Sequence, residues 1–228
     1  MVPPIGPPSF PAVTLKTPDP RVAEPLTERW QSKKLHNPTE NPSLRIRTLK
    51  TPESIQTARL LLRKPALADA EAIFRRYSSD PAVTRYLSWP NHRSVADTQA
   101  FIAWSDSEWQ HWPAGPYLAF ALDNRPEPLL GSTGLAFQTS THAITGYALA
   151  QDAWGQGFAT EALSAMVELA RLTGVQRLEA ACHADHRPSA HVLEKCGFQL
   201  EATLRETGIF PNLDSFAIFD VLSYAIQL

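Results

Sequence analysis

Residues 154–162 read Trp154-Gly155-Gln156-Gly157-Phe158-Ala159-Thr160-Glu161-Ala162, and this stretch decides the fold. Two glycines stand at the head of a helical pattern. Ala159, Ala162, Leu163, Met166, Val167 and Ala170 recur at the spacing of one helix face, and Gly174 lies just past its end. Immediately upstream, Ile144 to Leu149 reads as a strand. A strand, a Gly-x-Gly turn and a helix start bring unpaired N–H groups and the positive end of a helix dipole to one place. Gly155 and Gly157 carry no side chain to keep a ligand away. Such a turn suits an anion the size of a pyrophosphate. It is not a dinucleotide fingerprint, because the third glycine and a downstream acidic residue are missing. It is not a Walker A loop, because no Gly-Lys-Ser/Thr follows.

Working outward, strands and helices interleave irregularly. Arg59 to Arg63 reads as a strand and Ala68 to Ser79 as a helix that stops before Asp80-Pro81. Ser94 is an N-cap for a second helix to about Trp109, with Asp97 three residues on. Strands are expected at 117–123, 129–137 and 143–149 before the glycine turn. After the helix, Gln176 to His183 reads as a strand with Leu178, Ala180 and Cys182 on one face. Arg177, Glu179, Ala181 and His183 take the other. A helix over Pro188 to Cys196 and strands at 198–204 and 215–226 finish the chain. The fold class is α+β, or mixed α/β, around one sheet.

The chain has 228 residues, 43% of them apolar and 19% charged, with a formal net charge of -2. That balance points away from nucleic acid and membrane surfaces as partners. No apolar run approaches the ~20 residues of a membrane span, and the N-terminus lacks the pattern of a secretory signal. Cys182 and Cys196 form no disulfide framework, so a cytoplasmic location is expected. Residues 1–56 differ from the rest, holding 11 of the 20 prolines. Proline forbids regular pairing, so this segment reads as an extended arm or linker before a domain at 57–228. It is either unstructured or wraps the body or a neighbouring subunit through Phe10, Leu26 and Trp30, the last case giving a homodimer.

The sequence resembles the GCN5-related N-acetyltransferases (GNAT), in particular their RimJ/RimL-like branch. The family motif Gln/Arg-x-x-Gly-x-Gly/Ala fits Trp154-Gly155-Gln156-Gly157-Phe158-Ala159, with Trp154 in first place. The branch pattern Trp-Gly-x-Gly-Tyr/Phe-Ala-Thr-Glu-Ala fits Trp154 to Ala162. Thr57 to Arg63, Asp69 to Phe74, Tyr86 to Pro90, Asp97 to Ile102 and Ser189 to Phe198 fit in the same order. The resemblance implies a single GNAT-like domain with a splayed central mixed sheet flanked by helices. It implies acetyl-CoA as co-substrate, with no metal. Tyr147 and Leu149 would hold the pantetheine arm through their backbone. The amides of Gly155, Gln156, Gly157, Phe158, Ala159 and Thr160, behind Trp154, would hold the pyrophosphate, and Ser189 and His186 would lie near the cofactor.

Two positions depart from the family. His186 replaces a frequent Asn, and Leu193 replaces a Tyr that protonates the departing thiolate. Leucine donates no proton. Amine attack on a thioester also needs a route for the amine proton. Glu179 and His183, on one strand face near the implied cleft, are the candidate proton carriers, ahead of His142 and Tyr147. A backbone N–H at Leu149 or beside it is the expected oxyanion donor. His183, Asp185, His186 and His191 are set aside as a metal site because they spread over a strand, a loop and a helix. Glu161 reads as a helix-start carboxylate of structural use. Trp89, Trp104, Trp109 and Trp112 cluster near the second helix, where this family walls its acceptor. The reading is an N-acetyltransferase acting on an amine-bearing acceptor, a small amine or a protein N-terminus. The alternative is a CoA-binding regulatory module without turnover.

Overall fold

The computed structural model describes residues 51–228. Residues 1–50 lie outside the described residues, and with them the anchors Phe10, Leu26 and Trp30 and the homodimer that rests on the arm. The last residues assigned to the arm behave differently from that expectation. Ser54–Gln56 forms strand β1 and pairs antiparallel with Leu61–Arg63. The sheet therefore starts before residue 57, in a three-residue strand too short to carry a readable alternation.

One sheet of 8 strands runs in the order β1-β2-β3-β4-β5-β6-β8-β7. The others are β2 (Leu60–Arg63), β3 (Pro116–Ala121), β4 (Leu129–Phe137), β5 (His142–Leu149), β6 (Arg177–His183), β7 (Gln199–Phe210) and β8 (Asp214–Gln227). Every neighbouring pair is antiparallel except β5 with β6. That parallel pair needs a crossover, which the helix after the glycine turn provides. It is α4 (Phe158–Leu172), and its Ala162, Leu163, Met166 and Ala170 are fully buried against one face of the sheet. The helix α5 (Arg187–Lys195) lies on the same side, where Ala190 and Leu193 join that core.

The other face is covered by α1 (Ala70–Ile73), α2 (Pro81–Thr84) and α3 (Val95–His111). Ile73, Tyr77, Phe101 and Ile102 pack there on Leu118, Leu129 and Ala148. Ser94 caps α3 as expected. Its hydroxyl accepts from the Asp97 amide at 3.4 Å, and the Asp97 carboxylate accepts back from the Ser94 amide at 3.0 Å. The helix expected over 68–79 is irregular. A 3₁₀ turn at Leu67–Asp69 precedes α1, and a π-helical turn at Phe74–Ser78 follows. Hydroxyls of Ser78 and Ser79 donate to Ile73 and Phe74 carbonyls at 3.3 and 2.6 Å, which fills the widened turn. Asp80, expected only to stop this helix, also caps α2 by accepting from the Ala82 amide at 2.8 Å. Strand β7 runs past the expected 204 to Phe210, through register shifts that break the alternation on which the sequence reading relied.

The pairing of β5 with β6 sets up the site. It covers only His142↔Arg177, Ala143↔Leu178 and Ile144↔Glu179. Beyond Ile144, β5 stays zipped to β4 as far as Leu149↔Gly131. Beyond Glu179, β6 stays zipped to β8 as far as His183↔Val221. Each strand follows its other neighbour, and a gap opens between them. Among the described residues no helix is long and apolar enough to cross a membrane.

Candidate active site

The gap leads at one end to the glycine turn. After Leu149 the chain makes a 3₁₀ turn at Gln151–Ala153, and the indole Nε1 of Trp154 donates to the Leu149 carbonyl at 2.7 Å. Gly155 and Gly157 have φ of 70° and 81°, in the left-handed region where a side chain is strained. A Cβ placed on Gly155 would meet nothing within 4 Å, so its outer side is open. Among the described residues, no backbone amide from Gly155 to Thr160 donates to a backbone carbonyl. Unspent amides around an open turn at a helix start are what an oxyanion requires, so the segment fits a pyrophosphate.

The turn is tied to the start of β2, three strands away in the sheet. Arg59 donates from Nη1 to the Gln156 carbonyl at 2.9 Å and from Nε to the Glu161 carboxylate at 2.7 Å. Glu161 also accepts from the Thr57 hydroxyl at 2.6 Å and the Arg59 amide at 2.8 Å. Burial works to raise this carboxyl, and the hydrogen bonds from Thr57 and Arg59 overcome it and hold it below its ordinary range. Glu161 is thus a strut that fixes the start of α4 to β2.

At the other end, the gap widens into a cavity of about 230 Å³. Tyr147 on β5 and Cys182 on β6 line it, with Ser189 and Leu193 of α5 and the ring of His186 at the α5 N-cap. The Tyr147 hydroxyl donates to Ser189 Oγ at 3.4 Å. Burial pushes the Tyr147 phenol up to about 12 and the Cys182 thiol up to about 11, so both keep their protons near neutrality. Burial, helped by the neighbouring His183, pulls His186 down to about 4, and its ring stacks on Tyr86 at 4.7 Å. Tyr86, Leu87, Trp89, Trp104 and Phe210 close the far wall. An asparagine holds that wall together. Asn212, in the β7–β8 turn, donates to the Thr84 and Trp89 carbonyls at 2.8 and 2.7 Å and accepts from the Asn91 amide at 2.8 Å.

A family profile described as the acetyltransferase (GNAT) domain matches residues 59–199. The chain belongs to the GNAT acetyltransferase family. The uncharacterized N-acetyltransferase YoaA of Bacillus subtilis (strain 168) is 31% identical over 156 residues, covering 67% of this chain and 86% of that protein. The structure of RimL, a ribosomal L7/L12 alpha-N-protein acetyltransferase in complex with coenzyme A, matches with a TM-score of 0.67 at 22% identity, covering 77% of this chain and 98% of that one. The microcin C7 self-immunity acetyltransferase MccE, in complex with acetyl-CoA and AMP, matches with the same TM-score of 0.67 at 22% identity, covering 78% and 98%.

The GNAT residues expected at the cofactor come together. Tyr147, Leu149, Trp154 to Thr160, His186 and Ser189 all lie along the gap or at its ends, although Leu149 packs into the core rather than on the cavity wall. The two expected proton carriers do not line the cavity. Glu179 sits where β5 and β6 are still paired, opposite Ile144. Its carboxylate accepts from Arg177 Nε at 2.7 Å and lies 3.1 Å from His142 Nε2. Burial raises this carboxyl, and these two partners outweigh it and hold it low. His183 is 5% exposed, packed among Tyr86, Phe210 and Phe219, and its Nδ1 accepts from the Asp185 amide at 3.0 Å. Ala181, between them on the strand, lines the cavity, and they do not. Strand alternation gave the shared face correctly but could not say where along it the gap opens. The tryptophans divide in two. Trp89 and Trp104 reach the cavity. Trp109 donates to the Pro116 carbonyl at 3.0 Å, and Trp112 stacks on Phe137, both as core residues.

Sequence reasoning missed Tyr86, Cys182, Phe210 and Asn212 as parts of the site. Cys182 could have been found, since its face with Leu178 and Ala180 was read. The others come from the turn at Tyr86, the end of β7 and the β7–β8 turn, brought together only by the fold.

Proposed function

We propose that this GNAT protein transfers the acetyl group of acetyl-CoA to a primary amine by direct attack in a ternary complex. The gap between β5 and β6, open at one end to an amide-lined glycine turn and at the other to a cavity, is the observation that supports this reading. Acetyl-CoA supplies the acetyl group as a thioester. The amides of Gly155 to Thr160 receive the pyrophosphate, with Arg59 keeping the turn in place. Backbone groups of Tyr147 and Leu149 that face the gap hold the pantetheine arm as a neighbouring strand would. This aligns the thioester with the cavity, and alignment with the amine supplies much of the rate.

The proton for the departing sulfur comes from Ser189. Leu193, one turn along α5, has none to give, whereas the Ser189 hydroxyl is paired with the Tyr147 phenol. Ser189 protonates the CoA thiolate as the C–S bond breaks, Tyr147 passes its proton to Ser189, and the proton that the nitrogen loses on forming the amide returns through water to Tyr147. Glu179 and His183 take no part in this proposal, because their contacts hold them off the cavity. The amine sheds its proton to water before it attacks, since no carboxylate lines the described cavity. A protein N-terminus and a small amine both meet these demands, and RimL carries the first in its name.

A thiol-release assay with acetyl-CoA and a panel of amines tests the proposal. Acceptor-dependent CoA release is expected. Tight CoA binding with no release on any amine would instead support the non-catalytic module.

A further inference from the structure

The acceptor end of the cavity is made of uncharged groups. Tyr86, Leu87, Trp89, Trp104 and Phe210 line it. Among the described residues that line the cavity, none is Asp, Glu, Lys or Arg. The polar groups there are largely spent within the sheet. Thr133 Oγ1 donates to the Gly146 carbonyl at 2.9 Å, and Thr145 Oγ1 donates to the Gly134 carbonyl at 2.8 Å. His186 stays neutral near pH 7, so it offers no cation. Arg85 stands over the Tyr86 ring at 5.3 Å but does not line the cavity.

A charge moved from water into such a space loses its hydration and meets no partner. A carboxylate or phosphate beside the amine would find no cation, and a second ammonium would find no carboxylate. Aromatic faces instead reward a flat or apolar group through area and ring contacts. The whole cavity of about 230 Å³ has to hold the thioester as well as the acceptor group, which favours a compact amine. The amine itself must arrive neutral to react, which an uncharged wall favours.

We infer that the acceptor is a primary amine carried on an uncharged apolar or aromatic group, with no carboxylate, phosphate or second ammonium next to it. This deepens the proposed transfer and rests on it. Free amino acids and polyamines are then poor acceptors, and an amine whose neighbouring carboxyl is masked as an amide is a good one. Trp89 and Trp104 set the preference.

The test uses the full chain, acetyl-CoA and four amines: phenylalaninamide, phenylalanine, glycinamide and spermidine. The expected kcat/KM for phenylalaninamide exceeds that of each of the others by about tenfold or more. In Trp104→Ala the advantage of phenylalaninamide over glycinamide shrinks, with the KM for acetyl-CoA as the folding control. Phenylalanine or spermidine matching phenylalaninamide would overturn the inference while leaving the transfer intact. If CoA binds and no amine is acetylated, the transfer reading fails. The wall is then probed by quenching of tryptophan fluorescence with the same amines, and phenylalanine binding as tightly as its amide would overturn the inference separately.

Discussion

The two ends of the gap are built from different materials. The cofactor end is backbone: unspent amides from Gly155 to Thr160, two left-handed glycines, and a strut from Glu161 to Thr57 and Arg59. The acceptor end is side chain: aromatic rings from three separated segments, held by the amide of Asn212. A backbone site tolerates little change at its glycines, because both hold a positive φ at which any side chain is strained. A side-chain wall can change its preference one ring at a time. The same protein can therefore keep its donor while its acceptor drifts.

Substitutions at each end should break this division in different ways. The largest effect is expected from Gly157→Glu, which puts a strained side chain and a negative charge into the turn. CoA affinity should fall by about a hundredfold or more, measured by calorimetry on a variant shown to be folded by circular dichroism. Unchanged affinity would move the cofactor site elsewhere. Next, Ser189→Ala should lower kcat by about a hundredfold with little change in CoA affinity, and Tyr147→Phe should lower it less. A Ser189→Ala enzyme at full rate would remove the proposed acid.

Asn212→Ala sharpens the comparison from the acceptor side. It takes the Asn212 side chain from the Trp89 carbonyl and the Asn91 amide, at a cost of about 1–3 kcal/mol for each group that stays buried and unpaired, while the Thr84 carbonyl keeps the Leu87 amide at 2.9 Å. The KM for the amine should rise by about tenfold while CoA affinity holds. Equal loss at both ends would mean that they are mechanically one unit.

The smallest effect is expected with pH. Burial, with His183 nearby, lowers His186 to about 4, whereas an unfolded histidine titrates near ~6.5. The unfolded chain takes up the proton first as pH falls. Stability present above pH ~6.5 is thus lost on the way down to about 4. Glu161 acts lower, because its folded value lies below its ordinary one, and its contribution goes only in stronger acid. Between pH 7 and 4.5, His186→Asn should keep about 2–4 °C of melting temperature that the natural chain loses. Parallel melting curves would show that His186 is not the group responsible.

The same contrast explains what could be read from the sequence. The helix over 158–172 was legible because Ala162, Leu163, Met166 and Ala170 repeat at its period, and the turn before it because only glycine suits its backbone. Ser94 and Asp97 announced a helix start by local chemistry alone. Phe210 and Asn212 were not legible as site residues, because nothing local links a β-turn to Trp89, more than a hundred residues away. The placement of Glu179 and His183 away from the cavity was hidden for the same reason. Alternation along β6 is local, but the point where β5 leaves it depends on the grip of β4 and β8.

The gap is, in another sense, a pair of strand edges turned inward. Exposed edges recruit stray chains and invite aggregation. Here α4 and α5 cover one side, and the segment from Tyr86 to Trp104 covers the other. A slender guest with amides along its length can complete the missing rungs, and the sheet it completes should resist unfolding more than the empty one by an amount set by guest concentration over its Kd.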